Sequence, residues 1–356
     1  LQPGESWTKS ISTVGIKGSN SLSLEVARMK PLNLSTRLAE LRNYPHGCLE
    51  QTISRAFPLL YLPELVERNP EEIQQDEELV KQVIQQIRSY QTASGAFAYW
   101  QGQTSTHAYA TVYALHFLME AAAHGYAIPE SLKTSALADV RRTAANWKLP
   151  AQPALQASER YTQAYRLYVL ALAGQADVGA MNRLKTIDLA LPDRWMLALA
   201  YAQVGRPDVA SNLLKETHEV KLSAQDYTGT FGSSLRDEAI HLQLLCQLRQ
   251  GEEAMPIAQE IAARLSSDEW MSTHEIAFAL QSMAHYYTTY PVGGEDMQFS
   301  YECLDENAQI STSKNTWQAT WCDDSQPFPT QLSLKNEGRT TLFVHAVQTG
   351  EVAQEE

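Results

Sequence analysis

Residues 44–54 read Tyr44-Pro45-His46-Gly47-Cys48-Leu49-Glu50-Gln51-Thr52-Ile53-Ser54. A turn signal, Pro45 to Gly47, runs into a cysteine, and a carboxamide follows three residues later. Leu49, Ile53, Phe57 and Leu60 then recur at helical spacing, which places Cys48 near the start of a buried helix. Side chains three apart share a helix face, so the Cys48 sulfur and the Gln51 amide can meet within one turn. A thiolate attacking that amide would expel ammonia and leave an internal thioester, closed in a ring of about fifteen members. A helix N-terminus favours the thiolate and offers N–H donors to an oxyanion. Such a bond is inert while water is kept away and acylates the first nucleophile admitted. The same residues have a plainer reading, since a cysteine on an apolar helix face is usually a small buried hydrophobe.

Around this stretch the period is helical from about residue 32 to Tyr290. Helices are expected at 33–42, 48–61, 74–91, 106–124, 130–147, 158–173, 177–185, 193–204, 207–218, 234–249, 252–266 and 272–289, with Pro58 bending the second. Four of them share a rhythm: Tyr109 to Leu115 leads to Gly125, Tyr165 to Leu172 to Gly174, Trp195 to Tyr201 to Gly205, and Ala239 to Leu245 to Gly251. Each is a richly apolar helix closed by a glycine, the favoured C-terminal cap, and followed by a more polar helix. Buried helices alternating with half-exposed ones describe stacked hairpins, six from twelve helices. Periodicity alone does not tell a closed ring from an open superhelix.

Both ends are strand-like. Ile11–Ile16 and Leu22–Val26 flank a Lys17-Gly18-Ser19-Asn20 turn, which predicts a hairpin. Beyond Tyr290, Pro291 to Gly294 breaks the helix and Asn315 to Trp321 alternates. Gln331–Leu334 and Thr341–Val347 then flank a Lys335-Asn336-Glu337-Gly338 turn, a second expected hairpin. The fold class is therefore mainly α, with a helical domain inserted into a smaller antiparallel β-sandwich. The expected boundaries are 1–31 for the first β part, 32–290 for the helices and 291–356 for the second β part.

A hydrophobic content of 44% with 19% charged residues is that of an ordinary globular chain. A net charge of −13 without a basic run argues against a nucleic-acid partner, and no apolar run approaches a membrane span. The chain opens at Leu1, not at a methionine, and is expected to be a piece of something longer. Cys48, Cys246, Cys303 and Cys322 show no metal-ligand spacing, so no metal and no cofactor is expected. Cys246 reads as buried helix filler. Cys303 and Cys322 stand either as a disulfide, in an oxidising compartment, or as two thiols.

Gly47-Cys48-Leu49-Glu50-Gln51 resembles the thioester motif of alpha-2-macroglobulins and complement proteins, usually Gly-Cys-Gly-Glu-Gln, and leucine in the middle is similar to the bacterial branch. Ser94-Gly95-Ala96-Phe97-Ala98-Tyr99-Trp100 with Thr106-His107-Ala108-Tyr109-Ala110, and Ser272-Thr273-His274-Glu275-Ile276-Ala277-Phe278-Ala279-Leu280, are similar to further segments of the thioester domain, in the same order. The resemblance runs from about Leu32 to Tyr290. It implies an α/α toroid of about six helical hairpins inserted into a CUB-type β domain, and a broad-spectrum endopeptidase inhibitor that traps proteases covalently through a Cys48–Gln51 thioester. Such a trap reacts once and is not a turnover enzyme. The partners implied are target proteases, bound through lysine, and other domains of the full-length chain. The location implied is the periplasm, with a parent protein that can be lipid-anchored to the inner membrane.

The storage state needs a dry pocket, for which Tyr44, Phe97, Tyr99, Trp100 and Tyr109 are the candidates. Glu50 is expected to favour its helix N-terminus by charge, ahead of the alternative that it helps position the Gln51 amide. Complement-type relatives carry a histidine after the Gly-x-Phe loop that activates hydroxyls. Here Gln101 to Thr106 has none, His107 is expected to pack, and His46 lies beside the motif. Without such a base, lysine amines are the expected targets. Two other readings remain open. Asp193 to Ala210 resembles a tetratricopeptide repeat, which would make the chain a helical protein-binding scaffold, although the helix-ending glycines are unevenly spaced. A cysteine hydrolase would need a histidine brought to Cys48 from afar.

Overall fold

A computed structural model describes residues 1–44, 47–215, 227–291, 295–304, 306–322 and 330–351. Among these, the helices are α1 (Leu34–Arg42), α2 (Leu49–Ser54), α3 (Leu62–Leu65), α4 (Pro70–Ile87), α5 (Ala108–Ala123), α6 (Glu130–Ala145), α7 (Pro153–Leu172), α8 (Val178–Lys185), α9 (Leu191–Gln203), α10 (Pro207–Lys215), α11 (Ser234–Gln247), α12 (Gly251–Leu265) and α13 (Thr273–Thr289). The expected helix at 48–61 is broken rather than bent. Pro58 has no N–H to donate, and a 3-10 turn at Pro58–Leu60 separates α2 from α3.

Burial sorts the helices into two shells. Tyr109 to Leu118 on α5 and Tyr161 to Ala171 on α7 are buried on every side, the mark of an inner helix. On α4 only a stripe, Val80, Val83, Ile84 and Ile87 with Asp76, is buried. The inner helices pack in sequence: α5 on α7, α7 on α9, α9 on α11, α11 on α13, and α13 on α2 and α3, while α2 returns to α5. The ring closes. It is an α/α toroid, and an open tetratricopeptide-type superhelix does not describe it. Helices α4, α6, α8, α10 and α12 lie outside against their inner neighbours. The inner helices run parallel, so one mouth of the ring is made of their N-termini and the other of their C-termini.

The strands are β1 (Ser6–Ile11), β2 (Ser21–Ala27), β3 (Met297–Cys303), β4 (Glu306–Thr312), β5 (Thr316–Cys322), β6 (Thr330–Asn336) and β7 (Phe343–Thr349). Neither expected hairpin forms. β1 pairs with β6 and β2 with β5 and β7, giving antiparallel sheets of order β1-β6-β3-β4 and β5-β2-β7. The turns at 17–20 and 335–338 carry the chain from one sheet to the other, because Leu22, Leu24 and Val26 must face Phe299, Leu332 and Leu334 across a shared core. Strands from both ends of the chain thus build one sandwich around the helical insertion. Alternation also decides the cysteines. Cys303 points into the sandwich core from β3, whereas Cys322 follows the inward Trp321 on β5 and faces out. No Cys303–Cys322 disulfide forms, and all four cysteines are outside any disulfide.

The sandwich and the ring meet at Glu25. Its carboxylate, buried on β2, accepts the N–H groups of Leu32 at 2.6 Å and Leu34 at 2.9 Å, where α1 begins. Burial pushes this carboxyl up to about 7 against those hydrogen bonds. A second tie joins the end of α3 to β5 through a Val66–Thr316 bridge.

Candidate functional site

Cys48 is the N-cap of α2, at the N-terminal mouth of the ring, and is fully buried. Its sulfur accepts the backbone N–H of Gln51 at 3.5 Å, and the Gln51 side-chain oxygen accepts the backbone N–H of Cys48 at 3.4 Å. This reciprocal pair is a capping box with sulfur in place of the usual hydroxyl, and it turns the Gln51 carboxamide back onto Cys48. The two side chains that the sequence paired by spacing are therefore brought together by the helix start itself. Gly47 is exposed and its carbonyl accepts the Tyr90 hydroxyl at 2.6 Å, while Leu49 is buried in the helical core.

The thiol is not predisposed to ionise, contrary to the expectation from its place at a helix start. Burial pushes the Cys48 pKa up, and the Tyr99 hydroxyl at the sulfur and the backbone N–H groups offset this only in part. A thioester is neutral and releases a thiolate when cleaved. A site that disfavours the thiolate therefore favours the closed bond.

The loop between α4 and α5 makes the cover. Bridges Gln91–Phe97 and Ala98–Thr106 fold it into a tight ribbon. Gly95 lies at φ +92, and a Cβ there would come within 2.3 Å of the Ser135 carbonyl oxygen, so only glycine lets the ribbon seat against α6. Tyr99 is the member that touches Cys48. Phe97 is buried behind it, its backbone N–H on Thr111 Oγ1 at 2.9 Å. Trp100 stands edge-on to Tyr99 with centroids 5.3 Å apart and is 44% exposed. Tyr44 is half-buried and close enough to Tyr99 to act on its hydroxyl electrostatically. Tyr109 lies deeper, bonded to His274 Nε2 at 2.9 Å and packed on Tyr161. It belongs to the ring's aromatic core and not to the first layer around the sulfur.

His107 packs, as expected: its Nδ1 caps α5 by accepting the Ala110 N–H at 3.2 Å, and its ring lies beside both Tyr99 and Phe231. His46 lies outside the described residues. Glu50 departs from expectation. Its carboxylate does not cap its own helix but turns inward to accept Ser54 Oγ at 2.6 Å and Thr273 Oγ1 at 3.0 Å, linking α2 to the start of α13. Burial raises it to about 6 against those two hydroxyl bonds.

Phe231 is the cover residue that sequence reasoning missed. Its ring stacks on Tyr99 with centroids 5.6 Å apart and planes 14° apart. Its backbone sits at φ 51, a strained conformation for a bulky residue. The strap behind it is held by Arg236, wholly buried, which pairs with Asp237 at 2.7 Å, reaches the Thr230 carbonyl at 3.3 Å and lies over the Tyr161 ring at 4.1 Å. No local pattern in the sequence links residue 231 to residue 99.

Residues 21–142 match a family model described as "A-macroglobulin TED domain". Alpha-2-macroglobulin of Escherichia coli is 29% identical over 300 residues, 77% of this chain and 18% of that protein. The chain is similar to the alpha-2-macroglobulin family over these residues. Salmonella alpha-2-macroglobulin, solved after reaction with methylamine, superposes on the whole chain with a TM-score of 0.77 at 20% identity, covering 24% of that chain. The trypsin-activated E. coli protein gives 0.58 at 23% identity over 99% of this chain and 24% of its own. The chain thus spans under a quarter of these relatives, and what matches is the toroid together with its flanking strands. Helices are the larger part of the fold.

Proposed function

We propose that this chain is the reactive part of a covalent protease trap, in which Cys48 and Gln51 form an internal thioester that acylates a lysine amine of the attacking protease. The reading is carried by the reciprocal contact of Cys48 and Gln51 on one buried turn. Closure joins sulfur to the Gln51 side-chain carbonyl carbon and releases ammonia, the thiol proton leaving with it. Opening joins the amine nitrogen to that carbon, breaks the C–S bond and returns a proton to the sulfur. Each molecule reacts once. It is a trap and not a turnover catalyst.

Amines are the fitting nucleophile. Among the described residues no histidine is hydrogen-bonded to Cys48 or Gln51; His107 is engaged in capping and His274 with Tyr109. A hydroxyl lacks a base to activate it there, whereas a free amine needs none. The same arrangement speaks against a cysteine hydrolase. Methylamine reaction in the Salmonella relative and trypsin activation in the E. coli one are in keeping with this chemistry.

The domain assignment that goes with this reading is 32–290 for the thioester domain and 1–31 with 291–356 for a CUB-like β domain. Exposed Trp100 beside the covered sulfur suits a site whose cover is completed by other domains of the full-length chain. Periplasmic residence, with a lipid-anchored parent, rests on the family resemblance; among the described residues no helix is long and apolar enough to cross a membrane. The test is intact mass. Fresh full-length protein should weigh one ammonia less than its sequence, take up methylamine at Gln51, and lose both properties on Cys48→Ala. An unmodified mass with an intact Gln51, before and after proteolysis, overturns the reading.

A further inference from the structure

At the opposite mouth of the ring the inner helices end around a cavity of about 210 Å3. Its lining comes from their last turns: Glu120 on α5, Tyr168 on α7, Gln203 on α9, Gln243 on α11, and His285 and Thr289 on α13. Thr273, which binds Glu50, and His285 are twelve residues apart on α13, so this mouth lies about 18 Å from the thioester end. Nothing in the proposed trap mechanism uses it.

Its chemistry is one-sided. The carboxylate of Glu120 is held inside by the Tyr61 hydroxyl at 2.9 Å, which itself accepts Gln281 Nε2 at 3.0 Å. His116 Nε2 stands 3.6 Å from Glu120. His285 Nε2, in the cavity lining, is buried and has no hydrogen-bond partner. Such an orphaned buried group calls for an explanation. Burial lowers the pKa of His285, so its ring is neutral near pH 7 and in the Nδ1–H tautomer offers Nε2 as an acceptor. Among the described residues no lysine or arginine lines the cavity. Five helix C-termini converge on it, each with a partial negative charge of about half a unit. The space is smaller than a drug-sized pocket of roughly 300 Å3 or more. A short ligand with one positive, hydrogen-donating head meets all of these conditions.

We propose that the C-terminal mouth of the ring binds a small alkylammonium, whose N–H groups are shared between the Glu120 carboxylate and His285 Nε2 and whose carbons lie against Tyr168. The site is independent of the thioester. Amines would attack a thioester, so binding is measured on the Cys48→Ala chain, by calorimetric titration with n-butylammonium chloride at mildly alkaline pH. Saturable binding of one equivalent is expected, weakened roughly tenfold or more by Glu120→Gln and by Thr289→Trp, which narrows the mouth without touching the carboxylate. Nα-acetyl-lysine methylamide, titrated the same way, separates the sources of such a group. If it also binds, a lysine side chain of a docked protein can enter; if it is excluded while butylammonium binds, the ligand is a free amine. No saturable binding of either, or equal binding in the parent and both variants, overturns the site. Should Glu120→Gln fail to fold, Thr289→Trp decides.

Discussion

The backbone N–H of Leu49 donates to the carbonyl of Tyr99 at 3.0 Å. That N–H is one of the donors a helix start leaves without an internal partner. Satisfying it from the α4–α5 loop pins the cover to the helix that carries Cys48, and brings the Tyr99 hydroxyl to the sulfur. The backbone thus sets the register of a side-chain shield. Phe231 then closes over Tyr99 from a strap anchored far away in sequence.

We predict that Phe231→Ala, made in the full-length protein, speeds methylamine uptake at Gln51 roughly tenfold, the equivalent of about 1.4 kcal/mol off the barrier. The ring removed is the one stacked 5.6 Å from Tyr99. Its loss opens a path for water and small amines. The check is the half-time of the mass increase in methylamine. An unchanged half-time would show that Phe231 is packing only, and would leave the thioester reading untouched.

Gly232→Ala should act on the same strap through sterics. A Cβ at this position would lie 2.2 Å from the Tyr227 ring and 2.6 Å from Arg236 Nη2. One of the two anchors must move, at a cost of about 1–3 kcal/mol. Denaturant unfolding should register the loss, and the variant should share the faster amine uptake of Phe231→Ala. Arg236→Met is the harsher change, since it leaves Asp237 buried without its 2.7 Å partner, and about 3–5 kcal/mol is expected to go. Arg236→Met with Asp237→Asn should recover much of that in the same unfolding measurement; a double variant no more stable than the single one would refute the ion-pair account.

How much of this was legible beforehand follows from what is local. Cys48 and Gln51 face each other because one turn separates them, so spacing sufficed. The helices were visible because α5, α7, α9 and α11 are largely buried, and α5, α7 and α9 are closed by Gly125, Gly174 and Gly205 at positive φ; α11 departs from the expected rhythm, since Arg249 at φ 59 closes it and Gly251 opens α12. The hairpins failed because a turn signal reports that the chain reverses, not which sheet receives the next strand; β1 and β2 share a turn but no ladder. The β3–β4 hairpin went unread, although Met297, Phe299, Tyr301 and Cys303 alternate clearly with polar neighbours. Phe231 and Thr273 reach the site only through ring closure, which no window of sequence contains. Glu50 was misread for a related reason: its place at a helix start is local, while its hydroxyl partner on α13 is 223 positions away.

Glu50 gives a prediction whose sign can be worked out. Its carboxyl stands at about 6 in the folded chain, raised from an ordinary 4.5 by burial. The folded state therefore holds this proton more tightly than the unfolded state does. The stabilisation is complete below pH 4.5 and is lost as pH rises through about 6, a change of about 2 kcal/mol. Glu50→Gln removes the titration. Glu25 and Asp193, each raised to about 7, have the same sign, but both are present in parent and variant and cancel in the difference. We predict that urea unfolding of the two chains shows the parent losing about 2 kcal/mol relative to Glu50→Gln between acid and neutral pH. Parallel pH profiles would mean that Ser54 and Thr273 hold the carboxylate at its ordinary affinity, and that Glu50 joins α2 to α13 as a charged group throughout.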